Sequence, residues 1–275
     1  MPELLLELGC EELPATAVKR AYTDLQANVE AALKGANVTF HRAHEPIGTP
    51  RRLIVHLADV ASTQPESEKE SRGPALEAAF DAAGAPSKAL EGFCRGQGVD
   101  PSQVDKRDGY VWVTKKVIGR PTAELLTEIL PEAIKGLNFD KTMRWGSGRM
   151  RFARPIRWIL ATFDGAVVGF EVEGVASGTQ SRGHRFYAPE SFEVATYDAL
   201  LTELMKRKVE PNPAEREKTI REVASIVASG KPQFSDALVD ENVYLTEWPT
   251  PIEGSFDAAF LNLPEPALIT AMAKH

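Results

Sequence analysis

The chain has 275 residues, is 43% hydrophobic and 26% charged, and sets 32 Lys+Arg against 39 Asp+Glu for a formal net charge of -7. That balance excludes a disordered or collagen-like chain, and the length suits one large or two modest domains, each with its own core. Two cysteines, Cys10 and Cys94, exclude a disulfide scaffold and a zinc site built on Cys pairs, and they suit a reduced, cytoplasmic setting.

Leu4 to Leu8 read as a first strand. Glu11-Glu12-Leu13-Pro14 then opens a helix, with Pro14 at a first helical position and the acidic pair at the positive end of the dipole. Val18, Tyr22, Leu25, Val29 and Leu33 recur at helical spacing, and Gly35 stops the run. A strand over 38–44, a turn over 46–50 and a strand over 53–60 complete an N-terminal α/β unit, residues 1–62. The polar stretch 63–74 reads as a linker. Residues 75–275 read as a second domain. It starts with short helices over 75–83 and 87–96, a β-branched strand over 110–118, and a helix opened by Pro121.

Ile156 to Phe163 is apolar on both alternating faces, the pattern of a buried central strand. Asp164-Gly165 predicts a tight hairpin into 167–172. A short strand over 192–195, helices around Leu200 and over 214–228 and 238–247, a break at Trp248-Pro249 and a last helix from Pro264 follow. The mixed order predicts an α+β fold with mixed or antiparallel sheets and packed helices. The chain stops at Ala273-Lys274-His275 inside a helical pattern, so an N-terminal part of a longer polypeptide is expected.

The charge is segregated. Residues 141–163 hold Lys141, Arg144, Arg149, Arg151, Arg154 and Arg157 and no acid (+6 against a total of -7, so -13 elsewhere). Two smaller islands are Pro50-Arg51-Arg52 and Ser181-Arg182-Gly183-His184-Arg185-Phe186-Tyr187. Arginine suits forked phosphate contacts and ring stacking, and Trp145, Phe152 and Trp158 are interleaved. The pattern fits an RNA-binding surface, because no helix-turn-helix accompanies it. It fits equally well an ion-paired network with the surplus carboxylates. Trp145 and Trp158 fit a core at least as well as a stacking platform.

Catalytic signatures are missing. There is no P-loop, no dinucleotide fingerprint and no Gly-x-Ser-x-Gly elbow. His41 and His44 would point to opposite faces of a strand, so no metal site is expected. Cys10 beside a helix start fits a packed residue better than a thiolate. No apolar run approaches the about 20 residues that span a bilayer, so no membrane partner is expected.

Several strings resemble one family. Leu4-Leu5-Leu6-Glu7-Leu8-Gly9-Cys10-Glu11-Glu12-Leu13-Pro14, Gly48-Thr49-Pro50-Arg51-Arg52-Leu53, Met143-Arg144-Trp145-Gly146 and Phe152-Ala153-Arg154-Pro155-Ile156-Arg157-Trp158 are similar to signatures of the β subunit of bacterial two-subunit glycyl-tRNA synthetase. Ser181-Arg182-Gly183-His184-Arg185-Phe186, Glu247-Trp248-Pro249 and Leu263 to Thr270, with Met272 and His275, continue in the same order. Cys10 stands where the family usually has Thr, and Pro266 where a second Glu is common. The family's β subunit is more than twice as long, so the chain resembles its N-terminal part.

The resemblance implies an α2β2 glycine–tRNA ligase that uses ATP and Mg2+, with the active site on the α subunit. It implies tRNA(Gly) and the α subunit as partners, no cofactor held by this part, and no catalytic residue in it. Part of the chain is expected to resemble the B3/B4 domain of the phenylalanyl-tRNA synthetase β subunit. Candidate tRNA contacts are Arg51, Arg52, Arg144, Arg149, Arg151, Arg154, Arg157, Arg182, His184 and Arg185. Two other roles stay open: an editing hydrolase acting on mischarged tRNA, for which His184 or Cys10 would have to serve, and a scaffold for the α subunit.

Overall fold

Strand β1 (Leu4–Cys10) is buried at every position, as a central strand covered on both faces must be. The computed structural model describes residues 2–42, 44–81, 84–229, 232 and 235–272. After β1 come α1 (Ala15–Gly35), β2 (Ile47–Thr49), β3 (Arg52–Leu57), β4 (Ser67–Ala75), α2 (Leu76–Ala79), α3 (Lys88–Gln97), β5 (Asp105–Arg107), β6 (Tyr110–Val117) and α4 (Thr122–Lys135). The chain continues through β7 (Met143–Arg144), β8 (Arg151–Phe152), β9 (Ile156–Phe163), β10 (Ala166–Val167), β11 (Glu171–Val172), β12 (Val175–Gly178), β13 (Gln180–Arg182) and β14 (Ser191–Glu193). Helices α5 (Tyr197–Lys206), α6 (Pro213–Val227), α7 (Asp236–Val243) and α8 (Glu265–Met272) close it. This is a mixed α+β fold, as expected from the order of elements.

The main sheet runs β11-β12-β9-β1-β3-β2, with β10 added to β9. β1 pairs antiparallel with both β3 and β9. Successive strand residues point to opposite faces. Leu4, Leu6 and Leu8 therefore join Val18, Leu25 and Val29 of α1 and Leu126 and Leu130 of α4 in the larger core. Leu5 packs with Ile54, Leu160, Leu200 and Leu204 in a second core on the other face. Glu7 and Gly9 follow Leu5 onto that second face, and this places the site described below.

Two compact units result: residues 1–62 with 122–275, and residues 63–121. The second is a β4-β6-β5 sheet with Ala79, Leu90, Cys94 and Val111 buried together. The expected division at 62 and 75 differs from this. Residues 1–62 share a sheet with β9, and 67–75 form a strand rather than a linker. That strand buries none of its side chains fully, so its sequence carries no apolar alternation to read.

Other differences are local. Helix α1 begins at Ala15, with Pro14 as its N-cap at φ -57 and ψ 138. Glu11 and Glu12 therefore lie outside the helix, and their partners are arginines. The expected strand over 38–44 is reduced to one bridge, His41 to Ala58, with residue 43 outside the described residues. Residues 46–50 contain β2 rather than only a turn. The helix expected over 75–83 spans Leu76–Ala79, with 82–83 outside the described residues. The Asp164-Gly165 turn forms as expected, both residues at positive φ and Ala166 facing Phe163, but the returning strand ends at Val167 and Glu171–Val172 pairs with β12 instead. Residues 273–275, where the last helical pattern was read to run on, also lie outside the described residues. Among the described residues no helix is long and apolar enough to cross a membrane.

Candidate nucleic-acid interface

On the second face of the main sheet, Gly9 of β1 sits between Arg52 of β3 and Trp158 of β9. A Cβ on Gly9 would meet the Trp158 ring at 1.9 Å, so the indole lies across a gap that only glycine leaves. The guanidinium carbons of Arg52, Arg182 and Arg51 stand 5.4, 5.6 and 5.9 Å from the Trp158 ring centre. Three cations around one indole fit the affinity of guanidinium for aromatic quadrupoles.

Arg52 is fully buried and holds two carboxylates. Its Nη1 donates to Glu7 Oε1 at 3.0 Å and its Nε to Glu247 Oε1 at 2.9 Å. Nη1 also donates to the Arg182 carbonyl, and Thr49 Oγ1 donates to Glu247 Oε1 at 2.6 Å. Burial pushes the Glu7 carboxyl up, and Arg52, Ser181 and Trp158 offset this only in part. Burial also acts on Glu247, but Arg52, Thr49 and Arg51 overcome it and hold that carboxyl below its usual range. Within the triad, burial thus outweighs the partners at Glu7, and the partners outweigh burial at Glu247.

Around this buried centre lies a more exposed layer of ion pairs. Arg157 Nε is 3.2 Å from Glu11, Arg51 is 3.9 Å from the same carboxylate, and Arg185 Nη1 is 2.6 Å from Glu12. The amides of Phe186 and Tyr187 donate to His184 Nδ1 at 3.2 and 3.4 Å, so its proton sits on Nε2. Burial, with Arg51, Arg52 and Arg185, lowers the His184 pKa against the pull of Glu247, which leaves a neutral donor. His184, Arg51, Arg185, Phe186, Tyr187, Glu247 and Trp248 line a cleft of about 500 Å3.

A third arrangement involves the ribbon β7–β8. Arg144, Arg149, Arg151 and Arg154 are exposed, and none has a carboxylate within 4 Å among the described residues. Arg151 is anchored by Thr142, to its Oγ1 at 3.0 Å and its carbonyl at 3.1 Å. Trp145 Nε1 donates to the Phe152 carbonyl at 3.0 Å, and Trp158 is buried, so both indoles serve packing.

The ten expected contact residues therefore separate. Arg52 is internal and faces no solvent, and Arg51 is nearly so. Neither can meet a phosphate freely, because each is held against carboxylates that folding has already brought to it. Arg157 and Arg185 are exposed but paired. Arg144, Arg149, Arg151, Arg154 and Arg182 are exposed without an acidic partner among the described residues, and His184 is half-buried. Cys10 is fully buried, and burial pushes its thiol up to about 12, so it supplies no thiolate near neutral pH.

Sequence reasoning missed Glu7 and Glu247 as buried ion-pair partners of Arg52, although the resemblance contained both strings. A lone glutamate inside Leu4-Leu5-Leu6-Glu7-Leu8 was the available signal, since a central strand buries a charge only with a partner. The strings 9–12, 48–52, 157–158, 181–187 and 247–248, remote in sequence, meet at this one end of the sheet.

Residues 4–275 match the family described as glycyl-tRNA synthetase beta subunit. The chain belongs to that family. It is 42% identical to the glycine–tRNA ligase beta subunit of Geotalea uraniireducens (strain Rf4), over 99% of this chain and 41% of that protein. Identity is also 42% to the subunit of Geobacter metallireducens, over 100% of this chain and 41% of the relative. It is 44% to that of Trichlorobacter lovleyi, over 99% and 41%. The chain thus spans about two-fifths of the length of these curated relatives and aligns across nearly all of its own, as the glycyl-tRNA synthetase β-subunit resemblance implied.

Proposed function

We propose that this chain is the non-catalytic, tRNA-recognising and positioning part of the β subunit of a heterotetrameric, cytoplasmic glycine–tRNA ligase. In the intact complex ATP, glycine and tRNA(Gly) give glycyl-tRNA(Gly), with ATP and Mg2+ used at an active site on the α subunit. The B3/B4 likeness expected of residues 75–275 belongs to the same reading. Its main support is the β7–β8 ribbon, where Arg144, Arg149, Arg151 and Arg154 are exposed and have no carboxylate partners among the described residues, on a chain of net charge -7. Cations left unpaired on an acidic body suit a polyanion.

The test is tRNA(Gly) binding across a salt series for the chain and for the combined Arg144→Gln, Arg149→Gln, Arg151→Gln variant. If all three meet phosphates, the log–log salt slope falls by about 2 to 3 and affinity drops, with the fold intact. An unchanged slope rejects the reading. ATP–pyrophosphate exchange with glycine by this chain alone would overturn the placement of the active site.

A scaffold role has one observation in its favour. Ile252, Phe260, Leu261 and Ile269, all within residues 252–269, are between 54 and 88% exposed, and exposed apolar residues gathered in one stretch suit a protein partner. Binding of purified α subunit without tRNA would support that role.

A further inference from the structure

The cleft of about 500 Å3 beside the buried triad carries more specific chemistry than a basic patch. Its size lies in the range of small-molecule sites, about 300–1,000 Å3. Two adjacent rings at its mouth, Phe186 and Tyr187, are 79 and 65% exposed. Arg185 stands 5.2 Å from the Phe186 ring centre, and Lys208 stands 4.9 Å from that of Trp248. The cleft also contains an unanswered acceptor. Glu247 is 5% exposed; its Oε1 is taken by Arg52 and Thr49, while its Oε2 has no partner. Arg51, also buried, has an unpartnered Nε in the same wall. Exposed rings, cations and one buried acceptor together describe a site for a flat ring that carries an amine and an anion.

We propose that this cleft holds one unpaired nucleotide of an RNA strand. The base stacks on Phe186 and Tyr187, an exocyclic amine donates to Glu247 Oε2, and the phosphate meets the exposed Arg185 in exchange for its Glu12 partner. Unpaired bases are recognised in this way, by aromatic stacking and by hydrogen bonds to their edges. The amine contact selects adenine, cytosine or guanine over uracil, which has no exocyclic amine. The proposal rests on the RNA-binding reading and adds to it a strand end or loop and a base preference.

The test uses the 275-residue chain and fluorescein-labelled tetra-adenylate and tetra-uridylate RNA, read by anisotropy, beside a tRNA(Gly) transcript. Tetra-adenylate should bind about tenfold more tightly than tetra-uridylate, the worth of one hydrogen bond to a charged group. Phe186→Ala with Tyr187→Ala should weaken tetra-adenylate about tenfold or more, while the ring-preserving Phe186→Tyr with Tyr187→Phe keeps binding. Both rings are exposed, so the fold should tolerate either pair. The alanine pair should weaken the tRNA transcript without changing its salt slope, because no cation is removed. If the transcript binds but tetra-adenylate does not, or the alanine pair has no effect, the cleft assignment is overturned and the RNA reading survives. If neither RNA binds, both fall. Displacement of tetra-adenylate by free glycine would make the occupant an amino acid and also overturn the assignment.

Discussion

Arg144 of β7 and Arg151 of β8 stand directly opposite each other across a two-stranded antiparallel ribbon, and both are exposed. Like charges at opposed strand positions are destabilising, by roughly 0.2–1 kcal/mol. Arg151 is held by Thr142, so Arg144 is the residue of the pair whose charge can be removed without breaking that anchor. Arg144→Gln should leave the chain as stable as wild type or slightly more stable in urea at low salt. That gain should vanish near 1 M salt, where screening shrinks to about 3 Å. A loss of stability at low salt would mean that Arg144 has a structural partner, and the ribbon would not be a surface waiting for an anion.

Gly9 gives a sharper steric test. Its position against the Trp158 ring leaves no room for a methyl group, and three guanidinium groups restrict where the ring can go. Gly9→Ala should cost about 1–3 kcal/mol, the usual range for overpacking, with a change in tryptophan emission in the folded state. Unchanged urea denaturation and emission would show that the ring moves freely.

The asymmetry of the buried triad predicts two unequal substitutions. Glu247 keeps its charge against Arg52, so Glu247→Ala leaves a buried guanidinium half-paired and should cost about 3–5 kcal/mol. Burial pushes Glu7 toward its protonated form, and a glutamine can still accept from Arg52 Nη1. Glu7→Gln should therefore cost less than about 1 kcal/mol. Equal losses in chemical denaturation would contradict the opposite balance of burial and pairing at the two carboxyls.

How much of this was legible in sequence depends on the range of the interaction. Val18, Tyr22, Leu25, Val29 and Leu33 repeat along a helix, and all are buried. Ile156 to Phe163 shows its two-sided burial because both faces are apolar. Periodicity carries such information because it is local. Arg52 meets Glu7 and Glu247 from distant points of the chain, and no spacing rule connects them. The resemblance supplied the strings Arg51-Arg52 and Glu247-Trp248-Pro249 without the fact that they touch. Glu11 and Glu12 were read as helix-start acids because Pro14 follows, yet the extended Pro14 leaves them free to reach Arg51, Arg157 and Arg185.

The two carboxylates of the triad also give opposite pH dependences. The folded pKa of Glu247 is lowered below the unfolded value of 4.5, so its contribution is fully present above that value and is lost as pH falls through the folded pKa. The folded pKa of Glu7 is raised above 4.5, so its contribution is fully present below 4.5 and is lost as pH rises through the folded pKa. Glu7→Gln removes only the second loss. The stability of the variant relative to wild type should therefore improve steadily as pH rises from 4.5, in urea titrations at fixed ionic strength. A difference that is flat in pH would contradict a Glu7 pKa raised by burial.

Cys10 separates burial from reactivity. Its thiol lies under the same cluster, and burial outweighs the nearby Arg51, so its pKa is pushed up to about 12. Cys94, buried in the smaller unit, is also raised by desolvation. Native protein at neutral pH should therefore show almost no fast thiol labelling by a disulfide reagent, and unfolded protein should release two equivalents, one for each cysteine of the chain. Since the folded pKa of Cys10 exceeds the unfolded value of 9.0, its contribution to stability is intact below pH 9 and is lost as pH rises toward 12. Rapid labelling of Cys10 in the folded chain would mean that the triad end of the sheet opens to solvent, and the buried arginine pairs described here would no longer be fixed.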